Sequence, residues 1–306
     1  MSIEILNSPI FATIQDLGRF GFSHIGLTTS GVMDEYAYFV ANRLLHNKID
    51  ENIIEIYYSN FLFKVNCDTQ IAVTGAYCDI FINEKKQNFT WQIYNLKKGD
   101  IVNISKLKAG TIVYLSIKDG IKLKKEFGSY STSIKEQIGG LNGRKLKKGD
   151  ILQINSNNLD NTIKRLNEKY YPKYGEEIEL RVILSYQEEF FNKKQKQKFF
   201  SSEYKITSEF NRMACKLEGE KISCDIDGIV SEAICFGAIQ IPKNGQPIIL
   251  LKERQTIGGY PKIGSVLSID CFRLSQLKPN MKVKFKQISL KQAQNKLKEF
   301  YNSFNL

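Results

Sequence analysis

Metal-ligand spacing is missing from this sequence. Its six cysteines, Cys67, Cys78, Cys215, Cys224, Cys235 and Cys271, form no C-x-x-C pair, and its two histidines, His24 and His46, lie far from them along the chain. That pattern argues against zinc and for reduced thiols used as small buried hydrophobes, so no metal ligands are expected. No Ser-His-Asp set is visible, which argues against acyl-enzyme hydrolysis. Long apolar runs are absent too, and none approaches the roughly 18 residues that a membrane span needs. The opening Met1-Ser2-Ile3-Glu4-Ile5-Leu6-Asn7 has neither the basic leader nor the apolar segment of a signal peptide. A cytoplasmic protein without a membrane partner is the expectation. Neither a Walker loop nor a strand–GxGxxG–helix unit occurs.

What remains is an ordinary soluble composition with an excess of positive charge. The 306 residues are 42% hydrophobic and 25% charged, enough to bury a large core and to make two domains of roughly 150 residues each. The formal charge of +12 would suit polyanions or anionic substrates. The lysines, however, are scattered through Lys85-Lys86, Lys97-Lys98, Lys147-Lys148 and similar pairs beside turns. There lysine blunts strand edges and keeps a β-rich surface soluble. No nucleic-acid partner is expected.

The pattern along the chain is mainly β with a few helices. Tyr36, Ala37, Val40, Ala41, Leu44 and Leu45 fall at spacings of three and four, which predicts a helix over residues 35–46 capped by Ser30 or Asp34. Residues 53–57, 61–65, 70–74 and 80–82 read as short strands between Asn, Asp and Gly signals. Leu96-Lys97-Lys98-Gly99-Asp100-Ile101 returns as Leu146-Lys147-Lys148-Gly149-Asp150-Ile151, and more loosely at residues 277–285. Each is a turn feeding an alternating strand, a device for barrel corners. An Asn-, Lys- and Tyr-rich stretch suggests a linker. The expected division is a first domain over 1–158, a linker over 159–177 and a second domain over 178–306. Residues 187–200 and 291–304 read as surface helices.

Several polar clusters interrupt this pattern. The apolar Ile248-Ile249-Leu250-Leu251 predicts a buried strand, which passes directly into Lys252-Glu253-Arg254-Gln255-Thr256 and a Gly258-Gly259-Tyr260-Pro261 turn. A strand ending in this way sets polar groups on a rigid base, although an ordinary solvated turn has the same composition. Asp34 is either a helix cap or, beside Gly31, a group orienting a ligand or water at a helix N-terminus. Gly139-Gly140-Leu141-Asn142-Gly143-Arg144 is either a hairpin connection or a loop holding an anion through N–H groups and one guanidinium.

Five segments occur in a telling order: Thr13-Ile14-Gln15-Asp16-Leu17-Gly18-Arg19, Ser30-Gly31-Val32-Met33-Asp34, Phe127-Gly128-Ser129-Tyr130-Ser131-Thr132, Gly237-Ala238-Ile239-Gln240-Ile241-Pro242, and Glu253 to Lys262. Together they resemble the biotin-dependent carboxyltransferase family, subdomains A and B, also called the allophanate hydrolase subunit 2 family, which includes the C subunit of 5-oxoprolinase. The resemblance spans nearly the whole chain and implies two cyclophilin-like β-barrel domains. For a chain of this length without a fused biotin carrier, it implies the C subunit of a heteromeric ATP-dependent 5-oxoprolinase, which opens the 5-oxoproline lactam to L-glutamate. The implied partners are a protein carrying subdomains C and D (like the B subunit of 5-oxoprolinase) and a lactam-utilisation protein (like its A subunit). ATP would bind here or on a partner, with Mg²⁺ allowed for.

The alternatives within the same resemblance are a carboxyltransferase of the urea carboxylase type and a regulatory binding partner of a kinase-inhibitor-like C/D protein. Met281-Lys282-Val283 only faintly echoes a biotin acceptor, so no covalently bound biotin is expected. As to site residues, the resemblance implies Arg254 and Lys262 stabilising negative charge, with Asp34 or Glu232 as acid/base. It implies substrate binding by Gln15, Asp16, Arg19, Ser30, Gly31, Ser129, Gln255, Thr256, Gly258, Gly259 and Tyr260. Tyr130 stands where relatives often carry Arg, Glu253 where they often carry Asp, and Thr28-Thr29 replaces a Pro-containing pair.

Overall fold

A computed structural model describes residues 1–58, 60–155, 163–226 and 228–306. They form two compact units, one of residues 1–20 and 30–174, the other of residues 21–29 and 175–306. Residues 159–162 of the expected linker lie outside the described residues. Residues 163–174 of that stretch belong to the first unit, where Tyr36 Oη donates to Tyr170 O (2.7 Å) and Tyr77 Oη to Pro172 O (2.8 Å), and residues 175–177 belong to the second.

The first unit is one curled, nine-stranded sheet. Its strands are β1 (Ser2–Asn7), β2 (Phe11–Gln15), β3 (Ile53–Tyr57), β4 (Phe61–Val65), β5 (Thr69–Ile82), β6 (Lys85–Gln87), β7 (Gln92–Leu96), β8 (Ile101–Ile117) and β9 (Ile151–Gln153), with one helix, α1 (Glu35–Leu44). The order β2-β3-β8-β4-β1-β9 carries β5 on β8, and β6 and β7 on β5, so the sheet makes a half-barrel. Sequence alternation is kept where one face is wet, as in β4, whose Phe61, Phe63 and Val65 are buried while Leu62 and Lys64 are not. The second half of β8 is buried on both faces, with α1 packed over β5 and β8.

The segments read as two strands, 70–74 and 80–82, are one strand here. Gly75 sits at φ +80°, and a Cβ there would lie 2.4 Å from Ile112 O, so glycine lets β5 stay paired with β8 through a series of bulges. The Leu-Lys-Lys-Gly-Asp repeat has a common geometry. Lys97 N donates to Asp100 Oδ2 and Lys147 N to Asp150 Oδ2, both at 2.8 Å, while Gly99 N and Gly149 N bond to Val65 O and Ile5 O at 2.8 Å each.

The second unit closes. It contains β10 (Glu177–Leu184), α2 (Lys193–Ser201), β11 (Glu203–Phe210), β12 (Ala214–Glu218), β13 (Glu232–Ala233), β14 (Ala238–Gln240), β15 (Ile248–Leu250), β16 (Ile257–Gly258), β17 (Lys262–Val266), α3 (Ser268–Leu274), β18 (Lys282–Gln287) and α4 (Leu290–Asn302). Seven strands form a barrel in the order β10-β17-β14-β15-β12-β11-β18, closed by the parallel β10–β18 pair, and β13 with β16 makes a separate two-stranded ribbon. The helix expected over 187–200 is split. Ser185 caps a 3-10 turn at Tyr186–Phe190 and Asn192 caps α2, each side chain accepting a backbone N–H that a continuous helix would bond internally. α2 is fixed by Phe199, stacked on Phe285 at 4.3 Å. Among the described residues no helix is long and apolar enough to cross a membrane.

Candidate functional site

The first-unit candidates form a hydrogen-bond network between the end of β2, the turn before α1 and the loop at 129–132. Asp16 is its centre. Its Oδ1 accepts from Ser129 Oγ (2.5 Å), Ser131 Oγ (2.6 Å) and Gly18 N (2.9 Å), and its Oδ2 from Tyr130 N (2.7 Å). Gln15 donates to Thr13 Oγ1 and Thr132 O, both at 3.0 Å, and accepts from Gly31 N at 3.2 Å. Ser30 Oγ donates to Thr132 O at 3.0 Å, and Arg19 Nη2 donates to Ser131 O. All six predicted residues here, Gln15, Asp16, Arg19, Ser30, Gly31 and Ser129, are brought together. The five with side chains are buried. Gly31 lies at φ +97°, where a Cβ would meet Leu17 O at 2.6 Å, so only glycine closes this turn.

Asp34 lies just beyond this network and caps α1, its Oδ1 accepting from Ala37 N at 3.1 Å. Its own N–H donates to Tyr114 Oη (2.8 Å), which donates in turn to the buried Glu55 Oε2 (2.8 Å). Burial first, then the nearby Glu55 and Asp34 carboxylates, hold the Tyr114 phenol well above its ordinary pKa. Tyr130 packs its ring under Lys125 Nζ at 5.0 Å. The Gly139–Arg144 loop is not an open anion cradle. Its N–H groups bond to Glu126 Oε2, Tyr130 O and Gly139 O, and Arg144 grips Asp150 in a fork of two 2.8 Å bonds. Burial, the largest single influence, disfavours the charged Asp150, but the hydrogen bonds and charges of Arg144 and Lys147 together outweigh it and hold its pKa below the ordinary value.

In the second unit, Glu232, Arg254, Gly258 and Lys262 are assembled around the β13–β16 ribbon. Glu232 pairs with Gly258 across the ribbon, and Ile234 N bonds to Thr256 O at 3.1 Å. Arg254 runs alongside, its Nε donating to Ile234 O (2.9 Å) and its Nη1 to Leu251 O (3.2 Å). Burial lowers its pKa below the usual guanidinium range, and its Nη2 makes no hydrogen bond among the described residues.

Lys262 begins β17, is 5% exposed, and its Nζ is ion-paired with Glu232 Oε1. Glu232 also accepts from Gln187 Nε2 at 2.8 Å and from Tyr186 Oη. Lys262 foremost, then Tyr186, hold the Glu232 pKa below its ordinary value, so at neutral pH it is a carboxylate. The orientation of the Gln187 amide is fixed because its Oε1 accepts from Lys262 N at 2.8 Å.

Gln255, exposed, and Thr256, half-buried, precede β16, and the exposed Tyr260 follows it. Gly259 O accepts from Ile229 N at 2.9 Å. Glu253 pairs with the buried Arg212, Nε to Oε1 at 2.7 Å. Lys252, also buried, places Nζ 4.8 Å over the Phe236 ring. Residue-by-residue reading of the sequence missed Tyr186 and Gln187, hidden in what read as a helix start, and Gln240, a polar residue inside an apolar strand. The Gly237–Pro242 segment was the available signal for Gln240. Contrary to the expectation of buried thiols throughout, Cys235 is exposed, 3.6 Å from Ser265 Oγ. Burial raises the Cys78 thiol to about 12. Among the described residues no group of three or more His, Cys, Asp or Glu could hold a metal ion.

Comparisons with known proteins converge on this architecture. The C subunit of 5-oxoprolinase from Haemophilus influenzae is 33% identical over 292 residues, 95% of this chain and 93% of that protein. Its counterpart of the same name from Escherichia coli is 31% identical over 296 residues, with the same coverage. The crystal structure of Kluyveromyces lactis urea carboxylase matches 99% of this chain with a TM-score of 0.92 at 24% identity, a likeness of fold in which this chain spans 29% of that one. Residues 25–287 match the family described as "Carboxyltransferase domain, subdomain A and B", and this chain belongs to that family.

Proposed function

We propose that this chain is the C subunit of a heteromeric ATP-dependent 5-oxoprolinase, which hydrolyses the lactam of 5-oxoproline to L-glutamate. The observation that carries this reading is the match over nearly full length to two proteins named as 5-oxoprolinase C subunits. A urea amidolyase from Saccharomyces cerevisiae is also similar, but there this chain accounts for only 17% of the protein. The carboxyltransferase reading is therefore second.

An unactivated lactam resists water. Its carbonyl carbon must be made more electrophilic, for instance by phosphorylation of the amide oxygen, so that water adds there and the ring C–N bond breaks, and developing negative charge must meet fixed donors. Arg254 suits the second task. Two main-chain carbonyls fix its guanidinium, and its Nη2 is left to donate outward. Lys262 is buried but paired with Glu232, so it is the weaker candidate for that task. Glu232 is already ionised, so it serves as a base or an orienting group rather than as a general acid at neutral pH. Asp34, tied up as a cap, is the weaker acid/base candidate.

The fit to ATP on this chain is poor. The N–H groups of Gly139, Gly140 and Gly143 are taken up by Glu126, Tyr130 and Gly139, and Arg144 is held by Asp150, so ATP and any Mg²⁺ are assigned to a partner, either the C/D protein or the lactam-utilisation protein. Lys282, at the faint biotin echo, opens β18 and pairs with Glu203 at 2.9 Å, and no biotin attachment is proposed there.

The test is turnover of L-5-oxoproline by the chain reconstituted with a C/D protein and a lactam-utilisation protein. Arg254→Ala should leave assembly intact and lower turnover by at least ~10²-fold, the usual cost of a lost charge-stabilising donor. Unchanged turnover would place the chemistry elsewhere.

A further inference from the structure

The second unit contains a buried donor that the proposed reaction does not use. Gln240 is 1% exposed, and its Nε2 has no hydrogen-bond partner among the described residues. Buried amides are nearly always paired, and an unpaired one lowers stability, so its presence calls for a reason. Its position supplies one. Gln240 is the cross-strand neighbour of Lys262, set by a register shift between Ile239 and Gln240. Its Nε2 lies only 3.0 Å from where a Cβ on Gly258 would stand, and that Cβ would also meet Ile234 Cδ1 at 2.6 Å. No positive φ demands glycine at 258. The close approach of this amide and of Ile234 does.

Beside this amide, three donors converge on one carboxylate. Lys262 Nζ, Gln187 Nε2 and Tyr186 Oη all meet Glu232, which is carried on the short ribbon rather than on the barrel. Two of these donors are fixed in place, since Lys262 sits in a barrel strand and Gln187 is locked by the Lys262 N–H, while Tyr186 is exposed. The carboxylate is less constrained than Lys262: the Glu232 side chain is 32% exposed against 7% for that of Lys262. A carboxylate held by a preformed set of donors, with one further donor unmatched next to it, is the arrangement expected of a binding site filled by a side chain of its own protein.

We propose that Lys262, Gln187, Tyr186 and Gln240 form a receptor for the carboxylate of a small ligand, with Glu232 as its resident occupant. The incoming carboxylate replaces that of Glu232 on Lys262, keeping the buried ammonium neutralised, and takes the Gln240 amide as an added donor. Glu232 swings toward solvent, where it loses little. Given the function proposed above, on which only the ligand's identity rests, the carboxylate is that of 5-oxoproline.

Calorimetric titration of the full chain, alone and with its partners, tests this with L-5-oxoproline, its uncharged carboxamide and acetate as probes. Carboxylates should bind at least ~10-fold more tightly than the carboxamide. Glu232→Gln, which weakens the resident competitor, should tighten carboxylate binding by about tenfold, an outcome that a merely structural Glu232 would not give. Gln240→Met should weaken binding about tenfold while raising the melting temperature. Unchanged or weaker binding in Glu232→Gln, no effect of Gln240→Met, or no carboxylate binding in either form of the protein would overturn the receptor. If acetate follows the pattern but L-5-oxoproline does not bind, the receptor stands and the 5-oxoproline reading fails. If L-5-oxoproline is turned over with neither substitution affecting it, the reverse holds.

Discussion

The polar clusters of the two units differ in how fully their central carboxylates and glutamine amides are engaged. Around Asp16, a carboxylate accepts from two serine hydroxyls and two backbone N–H groups, and the neighbouring Gln15 bonds through both ends of its amide. Around Glu232, the carboxylate sits at a partly open edge, a guanidinium keeps one nitrogen outward, and a buried glutamine amide has no partner among the described residues. The more fully engaged cluster fixes loops in place. The other keeps its donors for something else. Burial and residue type alone do not separate the two, because both clusters are rich in the same buried polar side chains.

The comparison can be broken by substitution. The largest effect is expected at Asp16→Ala, which strands four donors in a buried site and should lower the unfolding free energy by ~3–5 kcal/mol in a urea titration. A loss below about 1 kcal/mol would mean that the network is not what holds these loops. Next comes Gly31→Ala, forced into a left-handed backbone against Leu17 O, with an expected loss of about 2–3 kcal/mol by the same titration.

The Arg144–Asp150 fork should matter less and should respond to acid. The folded pKa of Asp150 lies below its ordinary 3.8. Its contribution is therefore complete above that value and is lost as pH falls through the depressed one. Wild type and Asp150→Asn should differ by ~1–2 kcal/mol at pH 7 and converge in strongly acidic solution. A gap that does not shrink there would mean packing rather than charge sets the difference. The smallest effect has the opposite sign. Gln240→Met should stabilise the protein by about 1 kcal/mol, since it removes an unpaired buried amide at nearly constant volume.

Much of the scaffold was legible in the sequence because its signals are local. The apolar stripe of Tyr36, Ala37, Val40 and Ala41 gave α1, and the two Leu-Lys-Lys-Gly-Asp turns gave matching strand starts at Ile101 and Ile151. β5 was read as two pieces because Gly75 looks like a break, whereas pairing with β8 carries the strand through it. α3 escaped notice since it spans seven residues and has no side-chain cap.

The polar residues of the site segments were legible as motifs, but their partners were not. That Gln187 serves the backbone of Lys262, or that Arg212 pairs with Glu253, depends on pairs 75 and 41 residues apart in sequence. Gln240 carries the opposite lesson. A single polar residue inside Ala238–Gln240 reads as a tolerated exception until its amide is seen to lack a partner.

The contrast between the two clusters is tested most directly by measuring Gln240→Met twice, once for melting temperature and once for kcat/KM with L-5-oxoproline in the reconstituted enzyme. Opposite movements are predicted, a higher melting temperature with kcat/KM lower by about tenfold. A lower melting temperature with kcat/KM unchanged would show that the glutamine is scaffold, and would contradict the account.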